Sequence, residues 1–289
     1  MSIAARYTDV NSPFGTYRAG GWERFVWKLA DRHDLAASLR KRVRALVSRL
    51  WAGPFDAEAD GLRFRLYPGS NYDDRKILAK GRLPERGEHA LLARHLREGC
   101  VFVDVGANVG SHTLAAARAG ARVLAVEANP ATADRLAFNV AANGFAGVEI
   151  VRKAVGERHG EMALWSEPSN CGFATLVPEL TTGEWAGDWR ARPVTTVPLA
   201  DMLAEAGIAR VDVLKIDVEG FEDRVLVPYL AGLEATRLPR VVMIETNCRA
   251  HWEHDCLALL ARLGYRATGA TDDNTVLELE ASRPEGGRA

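Results

Sequence analysis

From residue 100 onward, short runs rich in Val, Ile and Leu alternate with stretches whose apolar residues recur every three or four positions. The runs predict strands at 101–105, 122–126, 148–151, 211–216 and 241–244. The periodic stretches between them predict helices at 111–119, 131–142, 199–206, 222–230 and 255–263, the second opened by Pro130 in its first turn. Nearly continuous apolar strands separated by helices imply a parallel sheet covered on both faces, and so an α/β fold. Two last strands, at 265–268 and 275–279, lie close enough in sequence to pair antiparallel at an edge. Segments 162–165 and 173–177 read as an inserted hairpin around the loop Pro168-Ser-Asn-Cys-Gly172. Residues 178–192, with Trp185 and Trp189 among turn formers, read as an ordered surface excursion.

The pattern upstream differs. Residues 1–20 are loop-forming and read as a loop or mobile arm. Trp22 to Trp51 turns helical, with Phe25, Leu29, Leu35, Leu39, Val43, Leu46, Val47 and Leu50 at helical spacing and Gly53-Pro54 as the break. Its polar positions are mostly basic: Arg24, Lys28, Arg32, Arg40, Lys41, Arg42, Arg44 and Arg49. A helix packed on its own domain or in a homodimer is favoured over one lying on an anionic membrane. Residues 61–67 alternate as a strand on a half-exposed sheet, and 88–97 form an amphipathic helix, a candidate lid or wall. The expected organisation is an N-terminal extension over 1–60, a main domain over 61–282 and a disordered tail over 283–289.

Composition narrows the class. With 289 residues, 47% hydrophobic and 26% charged, the chain supports a full core. A net charge of -1 provides no global field for nucleic acid, and no nucleic-acid partner is expected. Cys100, Cys171, Cys248 and Cys256 form no CxxC pair, which favours reduced thiols. With neither an apolar signal region nor a membrane-spanning run, a cytoplasmic protein is expected.

Parallel sheets bind ligands at the carboxyl ends of their strands. Here those ends carry Asp104 and Gly106 to Gly110, then Glu127-Ala128-Asn-Pro, Lys153-Ala154, Lys215-Ile-Asp217-Val-Glu219, and Glu245-Thr-Asn247. Glu127 follows the first glycine at the spacing from which an acid reaches a ribose diol. A dinucleotide fingerprint is not met, because Asn108 and Ser111 stand where its second and third glycines belong. Asp104 would also repel a pyrophosphate, whereas it suits a cationic donor such as S-adenosylmethionine. The two glycines of the turn, Gly106 and Gly110, would let the backbone come close to that donor, with a helix N-terminus near its carboxylate. A ligand-free turn with glycine for packing is the less favoured alternative.

Lys215, Asp217 and Glu219 alternate, so an extended strand would place them on one face. They are either a structural ion pair of Lys215 with Asp217 or Glu245, or the lining of a transfer site. Mg²⁺ held by Asp217, Glu245 and Asn247 is the less favoured arrangement. His112, His251 and His254 are candidate bases, and the Asn170-to-Gly172 loop could touch the ligand. A nicotinamide-dependent oxidoreductase and a non-catalytic Rossmann-like domain are the competing classes.

Three ordered motifs, Val-Phe-Val-Asp-Val-Gly-Ala-Asn-Val-Gly110, Val-Glu-Ala-Asn-Pro130 and Val-Asp-Val-Leu-Lys-Ile-Asp-Val-Glu-Gly-Phe-Glu222, together resemble the FkbM-type S-adenosylmethionine-dependent methyltransferases over roughly residues 61–280. The family's Asn-x-Gly loop looks like Asn170–Gly172. The resemblance implies a class I, Rossmann-like, seven-stranded and mostly parallel sheet with a reversed final strand. It also implies O-methylation of sugars, polyketides, peptides or lipid-linked glycans. By resemblance, Asp104, Gly106, Asn108, Gly110, Glu127 and Ala128 hold the donor, Lys153 and Ala154 lie near its adenine, and Asp217 and Glu219 stand beside the methyl. Glu245 and Lys215 complete the expected catalytic set. The basic N-terminal helix lies outside the family pattern.

Overall fold

The computed structural model describes residues 8–32, 36–182 and 187–280. The helical pattern over 22–51 is two helices, α1 (Gly21–Ala30) and α2 (Ala37–Leu50), rather than one. Asp31, just past α1, explains part of the break. Its buried carboxylate pairs with Arg44 of α2 and with Arg75 and Lys76 further along the chain. Next come a hairpin of β1 (Phe55–Ala59) and β2 (Leu62–Leu66), then α3 (Tyr72–Lys80) and α4 (Arg86–Leu92). Apolar periodicity marks neither β1 nor α3, and α4 starts two residues before the expected 88–97 helix and ends five residues sooner. The hairpin straddles residue 60, the expected domain boundary. It is not half-exposed: Leu62, Phe64, Arg65 and Leu66 are all buried.

Residues 8–18 form a loop, as expected, and it is tied to the hairpin. Arg65, 1% exposed, donates to the carbonyls of Asp9, Ser12 and Pro13 and to both carboxylate oxygens of Asp56. A buried guanidinium needs every donor met, and the arm supplies three acceptors.

The main sheet follows the strand–helix alternation. Its elements are β3 (Val101–Val105), α5 (Ser111–Arg118), β4 (Arg122–Val126), α6 (Pro130–Asn143) and β5 (Val148–Val151). After an insertion of β6 (Ala154–Val155), β7 (Gly160–Glu167), β8 (Asn170–Thr175) and β9 (Arg190–Val197) come α7 (Leu199–Glu205), β10 (Val213–Ile216), α8 (Glu222–Ala231) and β11 (Val241–Glu245). The chain closes with α9 (Cys256–Arg262), β12 (Tyr265–Ala270) and β13 (Asn274–Leu279). The order is β12-β13-β11-β10-β3-β4-β5, with β13 alone running antiparallel. This is the mostly parallel, seven-stranded sheet with a reversed final strand that the resemblance implies.

Strand alternation sorts side chains to two cores. Val103, Val105, Leu214, Ile216, Val242 and Ile244 meet α7, α8 and α9 on one face. Phe102, Val213, Val241 and Met243 meet α1, α3, α4, α5 and α6 on the other. The insertion forms a four-stranded sheet of order β6-β9-β7-β8. The expected loop at 168–172 is shorter than read, since Asn170, Cys171 and Gly172 belong to β8. Strand β9 went unread because it carries Pro193. β6 pairs only with Thr196 and Val197, so the missing N–H of Pro193 falls on an unpaired edge. Trp185 of the expected excursion and the tail at 283–289 fall outside the described residues.

Candidate active site

Where β3 ends, Gly106 adopts a φ of +83°, and a Cβ there would stand 1.8 Å from the Asp217 carbonyl oxygen. Only glycine lets the ends of β3 and β10 approach this closely. Asn108 follows at a φ of +50°. Its N–H donates to Glu127 Oε2 at 2.9 Å, and the Asn129 N–H donates to Oε1 at 2.7 Å. Each Glu127 oxygen keeps a second acceptor direction. Burial pushes the Glu127 carboxyl up to about 7, against the pull of those two N–H groups.

Glu127 forms part of the wall of a cleft enclosing about 1040 Å³ of unfilled space open to solvent. Gly106, Asn108, Ala128, Lys153, Ala154, Lys215, Asp217 and Glu219 also line it. Three expected residues do not. Asp104 lies beneath the floor, accepting from the Thr113 hydroxyl at 2.7 Å and facing Lys215 at 3.3 Å. Gly110 is a packing position, where a Cβ would strike Leu136 at 2.6 Å. Glu245 sits behind the wall and accepts from the Glu219 N–H at 3.0 Å. His112 lines the cleft; His251 and His254 do not.

Lys215 joins Asp104 beneath the floor to Asp217 at the cleft. Register sets it opposite Asp104, and its ammonium reaches Asp104 at 3.3 Å, Asp217 at 3.2 Å and the Gly106 carbonyl at 3.2 Å. Burial alone would lower its pKa; Asp217 and Asp104 outweigh that and raise it. Lys215 therefore pairs with Asp217, as one reading held, but its second partner is Asp104 and not Glu245. The alternation through Glu219 also fails. β10 ends at Ile216, and Glu219 turns at a φ of +56°. Burial, then the charge of Asp217, raises the Glu219 carboxyl well above its usual range. Glu245 is likewise raised well above its usual range, by burial and then by the charge of Glu219. Asn247 turns to Asp273 at 3.4 Å.

The far wall comes from residues the pattern did not flag: Tyr72 and Asp73 at the start of α3 and Glu85 just before α4. Asp73 accepts from Asn108 Nδ2 at 2.9 Å, and Asn71 donates to Asn108 Oδ1 at 2.8 Å. Burial, then Asp217, pushes Asp73 up to about 6. Gly172 of β8 packs on the same Asn108 amide, and Asn170 accepts from the Tyr72 N–H at 2.9 Å. The Asn-x-Gly segment thus clamps α3 to the glycine turn. A signal for α3 was present: Asn71 as cap, two acids in the first turn, and Gly81 as an αL terminator. Three of the four non-glycine residues at positive φ among the described residues, Glu85, Asn108 and Glu219, border this cleft. Backbone strain of this kind gathers at functional sites.

A glycine turn, a buried acid with acceptor capacity to spare and a paired acid–lysine floor thus meet in one cleft. Residues 104–267 match the family described as methyltransferase FkbM domain, more than half of the chain. The chain belongs to the FkbM methyltransferase family. Among its relatives, methyltransferase sdnD of Sordaria araneosa is 31% identical over 187 residues, 55% of this chain and 71% of that protein. The 31-O-demethyl-FK506 methyltransferase FkbM of Streptomyces tacrolimicus is 32% identical over 171 residues, 50% of this chain and 64% of that one. The chain thus spans just under two thirds of this second relative. Among solved structures, a TehB-like SAM-dependent methyltransferase from Corynebacterium glutamicum is similar at 14% identity and TM-score 0.39, covering 71% of this chain and 94% of that one. An rRNA methylase from Streptococcus thermophilus is similar at 11% identity and TM-score 0.39, covering 67% and 95%.

Proposed function

We propose that this FkbM-family methyltransferase draws its methyl group from S-adenosylmethionine. The acceptor is a hydroxyl oxygen on a glycoside or on a polyketide or peptide intermediate. The observation that carries the reading is Glu127, buried, held by two backbone N–H groups and facing the cleft with acceptor capacity to spare. That is the arrangement a ribose diol needs. Gly106, Asn108 and Ala128 form the adjoining wall; Lys153 and Ala154 border the adenine end. Asp104 and Gly110 shape the turn from beneath, and Asp104 adds negative charge below the cationic donor.

When bound, the sulfonium donor supplies an electrophilic methyl carbon. The chain holds the acceptor oxygen near that carbon and takes its proton. Asp217, 26% exposed and fixed by Lys215 at 3.2 Å, is the group placed to accept it. Glu219, supported from behind by Glu245, completes that wall. Support for an oxygen acceptor comes from the relative whose name makes 31-O-demethyl-FK506 its substrate. No metal is needed for the step as written, and Mg²⁺ stays the less favoured addition.

Titration calorimetry with S-adenosylhomocysteine tests the donor. Binding by the wild type and a loss of about 1–3 kcal/mol in Glu127→Ala are expected. Equal affinity in the two proteins would remove Glu127 from the site. A methyl-transfer screen over glycosides and natural-product intermediates then identifies the acceptor.

A further inference from the structure

Large apolar side chains at the surface concentrate in one place. Of the eight exposed large hydrophobics among the described residues, six lie on α1 and α2: Trp22, Phe25, Leu29, Leu39, Leu46 and Leu50. Each helix uses two faces. On α1, Trp27 and Ala30 are fully buried, while Trp22, Phe25 and Leu29, at spacings of three and four, form an opposite outward stripe. On α2, Val47 enters the core, while Leu39, Leu46 and Leu50 form a second stripe at spacings of seven and four. Trp22 is 61% exposed and Leu50 60%, so these are not edges of a core.

The charge beside the stripes is mostly of one sign. Residues 21–50 hold eight Lys and Arg against three Asp and Glu. Asp31 is buried and paired with Arg44, one of the eight, and with Arg75 and Lys76 of α3, which leaves seven cations against Glu23 and Asp34. Arg42 and Arg49 fall within about a quarter turn of the Leu39, Leu46 and Leu50 stripe. An isologous contact between two copies would set this cationic face against itself. An anionic bilayer meets both demands, accepting apolar side chains at the acyl boundary and cations at the headgroups.

We propose that α1 and α2 form a peripheral docking surface for an anionic phospholipid bilayer. No helix among the described residues is long and apolar enough to cross a membrane, so the contact lies in the interface plane. Docking also has a bearing on the acceptor, and this part rests on the methyl-transfer reading above. α3 packs against α1, Arg75 and Lys76 of α3 hold Asp31, and Tyr72 at the start of α3 borders the cleft. The cleft wall and the docking face are therefore joined through one helix, which suits an acceptor held at the bilayer.

Flotation with phosphatidylcholine vesicles, with and without about one third phosphatidylglycerol, tests the docking on the full chain without methyl donor. The wild type is expected to float with the anionic vesicles and to be released as salt rises from about 0.1 M to about 0.5 M. Arg42→Glu/Arg49→Glu and, separately, Phe25→Ser/Leu46→Ser each lower partitioning at least about tenfold. All four positions lie on surface helices, and unchanged thermal unfolding checks that the variants fold. Equal flotation on neutral vesicles, or flotation indifferent to both variants, overturns the proposal. So does a dimer in sedimentation velocity that Phe25→Ser/Leu46→Ser dissolves while vesicles bind nothing. Parallel S-adenosylhomocysteine titration separates a failure here from a failure of the donor site.

Discussion

Lys215 sits fully buried between Asp104 and Asp217, and the two carboxylates differ in what surrounds them. Asp104 is sealed, so Lys215→Met would strand a buried charge with the Thr113 hydroxyl as its remaining side-chain partner. A loss of about 3–5 kcal/mol in urea unfolding is expected. Asp217 is 26% exposed at the cleft, so Asp217→Asn should lower stability by only about 1 kcal/mol. Turnover should fall about 10²–10⁴-fold while S-adenosylhomocysteine affinity stays near wild type. The two measurements together separate a floor residue from one that meets substrate.

Glu127 also sets a pH dependence. Burial raises its carboxyl to about 7, above the unfolded value near 4.5, so the folded chain retains a proton that the unfolded chain releases. Its stabilising contribution is complete below about pH 4.5 and is lost as pH rises through 7. The unliganded protein should therefore weaken from about pH 5 to 7.5, and Glu127→Gln should flatten that slope by up to about 1.4 kcal/mol per pH unit. Donor binding should run the other way and tighten as pH climbs through 7, because only the ionised carboxylate accepts from both ribose hydroxyls. Urea titrations and calorimetry across this range check both signs.

At the scale of elements, the site depends on how closely β3, β10 and β8 approach. Gly106→Ala would drive a methyl onto the Asp217 carbonyl at a φ of +83°, so the strand ends must separate. A stability loss above about 3 kcal/mol, with donor binding abolished, is expected. Thermal unfolding and calorimetry would show it. The parallel strands and their helices were legible because each carries its own period and its own glycine or proline stop. The β3 turn and Glu127 were legible for the same reason, since both lie within one strand–turn–helix unit. α3 was not. Asp73, Asp74, Arg75 and Lys76 are four consecutive charged residues, all buried, so no apolar stripe marks the helix. Its charges are matched by Asn108, Arg135 and Asp31, partners that local spacing does not reveal. Asp73, on the far wall of the cleft, is hidden on that account. Asn170 and Gly172 were noticed, yet their role as a clamp on α3 and Asn108 required the tertiary structure.

At the scale of the molecule, a class I sheet carries two additions on one face. The hairpin β1–β2 and helices α1, α2 and α3 extend the core that Phe102 and Met243 begin. The sequence marked this region as separate because its composition turns basic and its periods are short. What it could not mark was the attachment. Arg65 is one residue in an alternating strand, and alternation assigns it to solvent. Instead its guanidinium lies over the Phe138 ring of α6 at 3.9 Å and gathers the loop of residues 9–13 around itself.

That arrangement has a practical edge for anyone redesigning the chain. Cutting away everything before residue 20 deletes no strand or helix of the catalytic sheet, and looks harmless on a diagram. It would nevertheless strip three carbonyl acceptors from Arg65 and the Gly15 and Tyr17 N–H donors from Asp56. Such a shortened protein should melt several degrees lower and lose protease resistance first at the β1–β2 ribbon, with Arg65→Leu reproducing much of the damage.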